Sequence, residues 1–199
     1  MAKIIGITGP SGSGKSLLCK HLTDNQIPCI DADAVYHGML TPPSRVLDAI
    51  VEVFGADLLS ADGSLDRTVL SARVFSDPTQ LELLNATVLP IVVDEINSII
   101  ASLVNNGAST VVVDAPTLIE SGFHQSCDMI IAVIAPIDAR IERIKARDAI
   151  SEDRARARVL SQKNDDFYTS VADITIFNDG DEAEFKKTVK DISVAISQL

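Results

Sequence analysis

The chain has 199 residues, 46% of them hydrophobic, and its 17 Lys and Arg face 28 Asp and Glu for a formal charge of −11. That length suits one α/β domain with a small insertion. The acidic balance argues against broad nucleic-acid binding, because a phosphate backbone would be repelled overall.

The first element is an apolar strand candidate, Ile4-Ile5-Gly6-Ile7-Thr8. It runs into Gly9-Pro10-Ser11-Gly12-Ser13-Gly14-Lys15-Ser16, which fits the spacing G-x-x-x-x-G-K-[ST] without a gap. Helical spacing follows over Leu17-Leu18-Cys19-Lys20-His21-Leu22. Strand, glycine loop and helix are the context in which this pattern cradles phosphate. Glycine lets the backbone fold back so that its N–H groups converge on an anion, and the helix N-terminus adds roughly half a positive charge. Gly9, Ser11, Gly12, Ser13, Gly14, Lys15, Ser16 and Leu17 therefore read as nucleotide-binding residues. Lys15 would reach the β- and γ-phosphates as a catalytic cation, and the Ser16 hydroxyl would ligate Mg²⁺.

Ile27-Pro28-Cys29-Ile30 reads as a short second strand ending in Asp31-Ala32-Asp33. In open α/β sheets ligands gather beyond the carboxyl ends of strands. Asp33 is thus a candidate base that takes a hydroxyl's proton, with Asp31 beside it for substrate binding. Both could instead cap the helix that begins at Ala34. A break at Thr41-Pro42-Pro43-Ser44 precedes an amphipathic helix from Arg45 to Phe54, stopped by Gly55. Asp62-Gly63 marks a turn, Asp66-Arg67 opens a short helix, and Asp77-Pro78 opens a long one to about Asn106, which Pro90 should kink or interrupt. This helical stretch exceeds what a crossover needs and is the expected place for an acceptor substrate, which Arg67 and Arg73 could meet.

Thr110-Val111-Val112-Val113-Asp114 is an apolar run closed by an acid suited to the Mg²⁺ shell, and Pro116 and Glu120 follow it. Asp128 to Ile134 is a fourth strand. Next come Arg140, Arg143, Lys145, Arg147, Arg154, Arg156, Arg158 and Lys163. Arg140, Arg143 and Arg147 share one helix face, and Ile137, Ile141 and Ile144 are expected on the opposite, core-seeking face. Asp148 to Ser151 breaks that helix and Glu152 to Gln162 forms another. Two such helices read as a lid that shields a phosphoryl transfer; Arg143 and Arg147 are its candidates for ATP, with Arg147 facing inward. Ile174-Thr175-Ile176-Phe177 is the last strand, and a helix over Glu182–Leu199 covers the sheet. His21 and His124 have no partner in sequence that suggests a metal site. Cys19, Cys29 and Cys127 follow no metal-like spacing and are expected as small buried thiols in a reducing compartment. No run approaches ~18 apolar residues, and Met1-Ala2-Lys3 leads straight into a strand. Neither a membrane span nor a signal peptide is expected, and the cytoplasm is the expected location.

Further motifs recur in order: Asp31-Ala32-Asp33, Phe54-Gly55-Ala56-Asp57-Leu58-Leu59, Asp62 to Leu70, Val74-Phe75-Ser76-Asp77-Pro78, Pro116-Thr117-Leu118-Ile119-Glu120, Arg147-Asp148, Gln162, and Ala172 to Gly180. With the glycine loop, they make the chain resemble the dephospho-CoA kinase family over essentially its whole length. The resemblance implies a three-layer P-loop kinase fold of the α/β class, a five-stranded parallel sheet with a helical CoA-binding insertion and a lid. The core would be 1–34, 107–136 and 171–199, the insertion 35–106 and the lid 137–170. It also implies transfer of the γ-phosphoryl of ATP, with Mg²⁺, to the ribose 3′-hydroxyl of dephospho-CoA, by a protein expected as a monomer. The family's base maps onto Asp33 and its lid arginine onto Arg147; Asp31, Arg67, Arg73 and Pro116 would line the acceptor. The chain departs from the family pattern at Tyr36-His37, where an Arg is usual, at Leu89, where a His is usual, and at Leu17, where a Thr is usual. The first two keep open a related nucleoside-type kinase with another acceptor. A non-catalytic nucleotide switch would leave Asp33 and the lid arginines without a task.

Overall fold

The computed structural model describes residues 2–75 and 77–197. Met1, Ser76 of the Val74 to Pro78 stretch, and the last two residues of the expected C-terminal helix lie outside the described residues. The chain divides into two compact units, Met1–Ile30 with Ser102–Leu199, and Asp31–Ala101.

β1 (Lys3–Thr8), β2 (Cys29–Asp31), β3 (Thr110–Asp114), β4 (Met129–Ile134) and β5 (Ile174–Phe177), all in the first unit but for Asp31, form one parallel sheet in the order β2-β3-β1-β4-β5. β1 is central: Ile7 pairs with Asp114 on one side and Ile131 on the other. Strands covered on both faces lose polar alternation, which is why the sequence shows unbroken apolar runs. On one face Ile5, Ile7, Val112, Ile131 and Val133 pack with Leu18 and Leu22 of α1 (Lys15–Asp24) and Phe185 and Val189 of α9 (Glu182–Ser197). Each such side chain contributes about 1.5–3 kcal/mol by leaving water. On the other face Ala132 and Ile134 meet Tyr168 of α8 (Asp165–Thr169), a short helix that the periodicity did not announce. Two acids start strands: Asp128 accepts the Ile4 N–H and Asp173 the Ile130 N–H, both at 2.8 Å.

The charged hairpin is α6 (Ile137–Asp148), a left-handed Ala149 at φ 52°, and α7 (Glu152–Leu160), capped by Ser151. Ile141, Ile144, Ala155 and Val159 give it a small core of its own. The expected division of faces fails at its first turn. Ile137 is 48% exposed and Arg140 only 3%, because the neighbour of that turn is a row of backbone carbonyls rather than apolar side chains.

The second unit is helical: α2 (Ala32–Gly38), α3 (Arg45–Phe54), α4 (Arg67–Phe75) and most of α5 (Pro78–Asn105). α3 starts at Ser44, whose hydroxyl accepts the Leu47 N–H, and ends at Gly55 with φ 100°. It buries Val46, Leu47, Ile50 and Phe54. An antiparallel bridge between Leu59 and Leu65, closed around Asp62-Gly63, interrupts the helices. Pro90 does not interrupt α5. A proline deletes one donor, here the one that would reach the Ala86 carbonyl, while the stripe Val88, Val92, Ile96 and Ile100 stays buried on both sides of it. By length and mean hydropathy alone, 1.7, Thr79–Asn105 is apolar enough to cross a membrane, although no long uninterrupted apolar run is present in it. It carries Glu82, Asp94 and Glu95 among its apolar residues.

Candidate active site

The glycine loop leaves the carboxyl end of β1, the central strand. Gly9, Gly12 and Gly14 take φ of 135°, 80° and 113°, a region closed to most side chains. Space also forbids a substituent: a Cβ at Gly9 would stand 2.2 Å from the Val133 carbonyl oxygen, and one at Gly12 2.8 Å from that of Arg140.

Five consecutive loop carbonyls are held by side chains. Lys15 Nζ, buried, donates to Gly9 O at 2.7 Å and Pro10 O at 3.2 Å. Arg140 Nε donates to Ser11 O at 3.1 Å and Arg143 Nη1 to Gly12 O at 3.1 Å. Asn178 Nδ2 donates to Ser13 O at 2.8 Å, and Arg143 Nη2 reaches Asn178 Oδ1 at 3.1 Å. In a trans peptide the next N–H points opposite to the carbonyl, so holding Ser11 O and Ser13 O turns the Gly12 and Gly14 N–H groups the other way. α1 begins at Gly14 with no side-chain cap, which leaves its first-turn donors for an anion. Leu17 closes the turn through its N–H to Gly14 O at 3.0 Å and packs on the sheet.

The candidate metal donors lie beside this turn. The Cys19 thiol donates to Asp114 Oδ2 at 3.4 Å. Cys19 and Ser16 are three apart, hence on one face of α1. The contact with Cys29, then burial, then Asp114 raise the Cys19 pKa far above the usual thiol range, so it stays a proton donor. One hydroxyl and one carboxylate, both hard oxygens, fit Mg²⁺, which keeps most of its shell for water and phosphate. Among the described residues no three His, Cys, Asp or Glu cluster as a dedicated cage would require.

Arg147 does not face inward as expected: its side chain is 53% exposed and forks onto Asp148, at 2.7 Å and 2.9 Å. Arg158 joins the same carboxylate at 2.8 Å. The Arg147 contact holds Asp148 below its usual range. Pro116 is half-buried two residues past β3.

In the second unit Asp31 is the N-cap of α2, accepting the Ala34 N–H at 2.9 Å, and Asp33 lies exposed in the first turn. Arg67 Nη2 lies 3.4 Å from His37 Nε2, which must be the acceptor because guanidinium has only donors. Burial raises the Tyr36 phenol, with Arg67 opposing. Arg73 donates to Phe54 O at the end of α3 and to Asp57 at 2.5 Å, a clamp on that helix terminus.

Sequence reasoning named Gln162 only as a helix end and a family motif, Asn178 only as a turn and a family motif, and Arg140 only as a charged face, yet all three hold the loop. Asn178 had one legible signal: it follows β5 at the carboxyl edge, where ligands gather.

The family model and the curated relatives name one family. The CoaE dephospho-CoA kinase family model matches residues 3–184. A dephospho-CoA kinase of Corynebacterium glutamicum is 33% identical over 98% of this chain and 94% of its own length. A solved structure from Thermus thermophilus superposes with a TM-score of 0.78 at 28% identity, covering 98% of this chain and 97% of that one. The fold is also that of dephospho-CoA kinase from Campylobacter jejuni, with a TM-score of 0.72 at 24% identity over 100% of this chain and 98% of that one. The chain therefore belongs to the dephospho-CoA kinase family, enzymes that move a phosphoryl group onto an alcohol of dephospho-CoA in the last step of coenzyme A synthesis.

Proposed function

We propose that this chain transfers the γ-phosphoryl of ATP to the ribose 3′-hydroxyl of dephospho-CoA, with the 9–16 loop as the phosphate grip and Asp33 as the base. The observation that supports this most is the run of five loop carbonyls held by Lys15, Arg140, Arg143 and Asn178. Amides so fixed stabilise charge without reorganising as the transfer proceeds. The Asp33 carboxylate accepts the hydroxyl proton as the new P–O bond forms, and ADP departs with the electrons of the broken bond. Lys15 steadies the transferring phosphoryl. Ser16 and Asp114 would hold Mg²⁺, which neutralises charge on the phosphate oxygens when bound.

Residues 137–170 act as the lid, in which Arg147 exchanges Asp148 for phosphate oxygens, while Arg143 serves ATP indirectly through the loop. Residues 35–106 bind the acceptor, with Asp31, Arg67, Arg73 and Pro116 around it, and His37 beside Arg67 takes the place of the family's usual arginine. The enzyme works as a cytoplasmic monomer with no nucleic-acid or membrane partner.

The test is ADP release by the parent and by Asp33→Asn. The variant should bind ATP as the parent does, with kcat lower by about 10²-fold, the size of a lost base. Unchanged turnover removes Asp33 from its role. Release by the parent only with a nucleoside panel, or equally with water alone, overturns the acceptor.

A further inference from the structure

Ser11 is held at both its N–H and its carbonyl by side chains distant in sequence. Its N–H donates to Gln162 Oε1 at 3.1 Å, and its carbonyl accepts from Arg140 Nε at 3.1 Å. Arg140 Nη2 donates to the same Gln162 oxygen at 2.8 Å. The contacts close a ring through three segments of the chain. Both groups that reach the Gln162 amide are donors, so its oxygen must be the atom that faces them. Arg140 is 3% exposed, and a guanidinium so buried is costly unless its donors are matched.

The position of the two side chains gives the ring its meaning. Arg140 lies in the first turn of α6 and Gln162 two residues beyond α7, so they are the two feet of the charged hairpin. The α6 foot also presses on the loop directly: a Cβ on Gly12 would come 2.8 Å from the Arg140 carbonyl oxygen and 3.1 Å from its Cα. Both feet therefore stand on the loop.

We infer that Arg140 and Gln162 are positioning residues for phosphoryl transfer, which fix the phosphate loop between the feet of the hairpin without touching the nucleotide. The hairpin can then move over ATP while its base, and the loop pinned there, keep their geometry. This rests on the reading of residues 9–16 as the loop that grips ATP.

The test uses Gln162→Leu, which keeps the bulk but removes the acceptor, and Gln162→Glu, which keeps an accepting oxygen beside Arg140. Lys15→Ala serves as the control for the loop itself. ADP affinity by calorimetry, KM for ATP, kcat, and hydrogen exchange of the 9–14 amides are measured on each. Gln162→Leu should weaken ADP binding and raise KM for ATP by about tenfold, the effect of one lost charge-assisted hydrogen bond. It should also speed exchange in the loop and leave the β3 amides unchanged. Gln162→Glu should stay within about threefold of the parent, since the bond it replaces is remade with a charged acceptor. Parent-like binding and exchange in Gln162→Leu, or equal damage in Gln162→Glu, overturns the inference. If Gln162→Leu yields no folded protein, Arg140→Lys gives the same readout, because one ammonium cannot reproduce the fork of a guanidinium. A Lys15→Ala variant that binds ADP normally refutes the loop reading. A dead Lys15→Ala beside an unaltered Gln162→Leu refutes only the ring.

Discussion

Gly9→Ala tests the geometry of the loop at its most constrained point. The new Cβ would lie 2.2 Å from Val133 O, with Val133 C and N at 3.2 Å, and contacts below 3.0 Å are essentially never tolerated. The loop and the backbone of β4 must separate by about 0.8 Å, the difference of those two distances. Neither side is a flexible side-chain end, since one is loop backbone directly after β1 and the other is backbone within β4. Overpacking of this kind costs about 1–3 kcal/mol, and the positive φ adds roughly 1–2 kcal/mol for an L-residue. Together they predict a loss of about 2–5 kcal/mol, or a fall in Tm of at least several degrees for a chain of this size. A displacement approaching 1 Å in a group that aligns the reactants also lowers kcat by about 10²-fold. Gly38→Ala is the internal control. Its Cβ meets nothing within 4 Å and its residue sits in helix, so it should stabilise by about 0.4–1 kcal/mol. Urea denaturation and ADP titration of both variants decide the matter. A Gly9→Ala protein with the parent's midpoint and the parent's ADP affinity would refute the reasoning.

Chelation by EDTA should abolish turnover, and added Mg²⁺ should restore it; Asp114→Asn should raise the Mg²⁺ needed for half-maximal rate, and unaltered metal demand would remove Asp114 from the shell. The Cys127 thiol is pushed up to about 12 by burial, with Asp128 adding to it, and Cys19 is raised further. Both should alkylate slowly at pH 8 in the native protein and quickly in urea, as peptide mass spectrometry would record; fast native labelling of either contradicts their burial. Asp148 and Asp128 are held below the usual 3.8, the first chiefly by Arg147 and the second chiefly by the Ile4 N–H. Groups lowered on folding add stability above their unfolded pKa and lose it as pH falls through the folded one. The urea midpoint should therefore drop as pH falls from 5 toward 3, and drop less in Asp148→Asn; a flat profile would show that these contacts contribute nothing.

The parts of the fold that were legible are those whose causes are local. The glycine loop announces itself because three positive-φ positions admit hardly any other residue, and α3 is bounded correctly because Ser44 and Gly55 are chemical stops. Strands β3 and β5 carry enough consecutive apolar residues to be seen at their true limits. The first turn of α6 was misassigned, although Ile141 and Ile144 are buried as expected, because periodicity tells which residues share a face but not what that face meets. Carbonyls wait there for Arg140, while Ile137 is left outside. Arg147 was expected inward for want of any account of its own neighbour Asp148, and helix α8, five residues long, is too short for a period to show. The candidate site was half readable: the loop and Asp114 follow from spacing, but Gln162 and Asn178 reach it over 151 and 165 residues of sequence.

A molecule with eleven surplus negative charges has to admit a polyanion, and its exterior works against the approach. Attraction resides instead in aligned amide dipoles at the end of one strand, with the buried Lys15 beside them and the Arg140 and Arg143 guanidinium groups holding them from behind. Dissolved salt ordinarily weakens the capture of a nucleotide by a basic surface. Here it should chiefly quiet the long-range repulsion and leave the short-range embrace untouched, so that binding holds or even quickens as ionic strength rises.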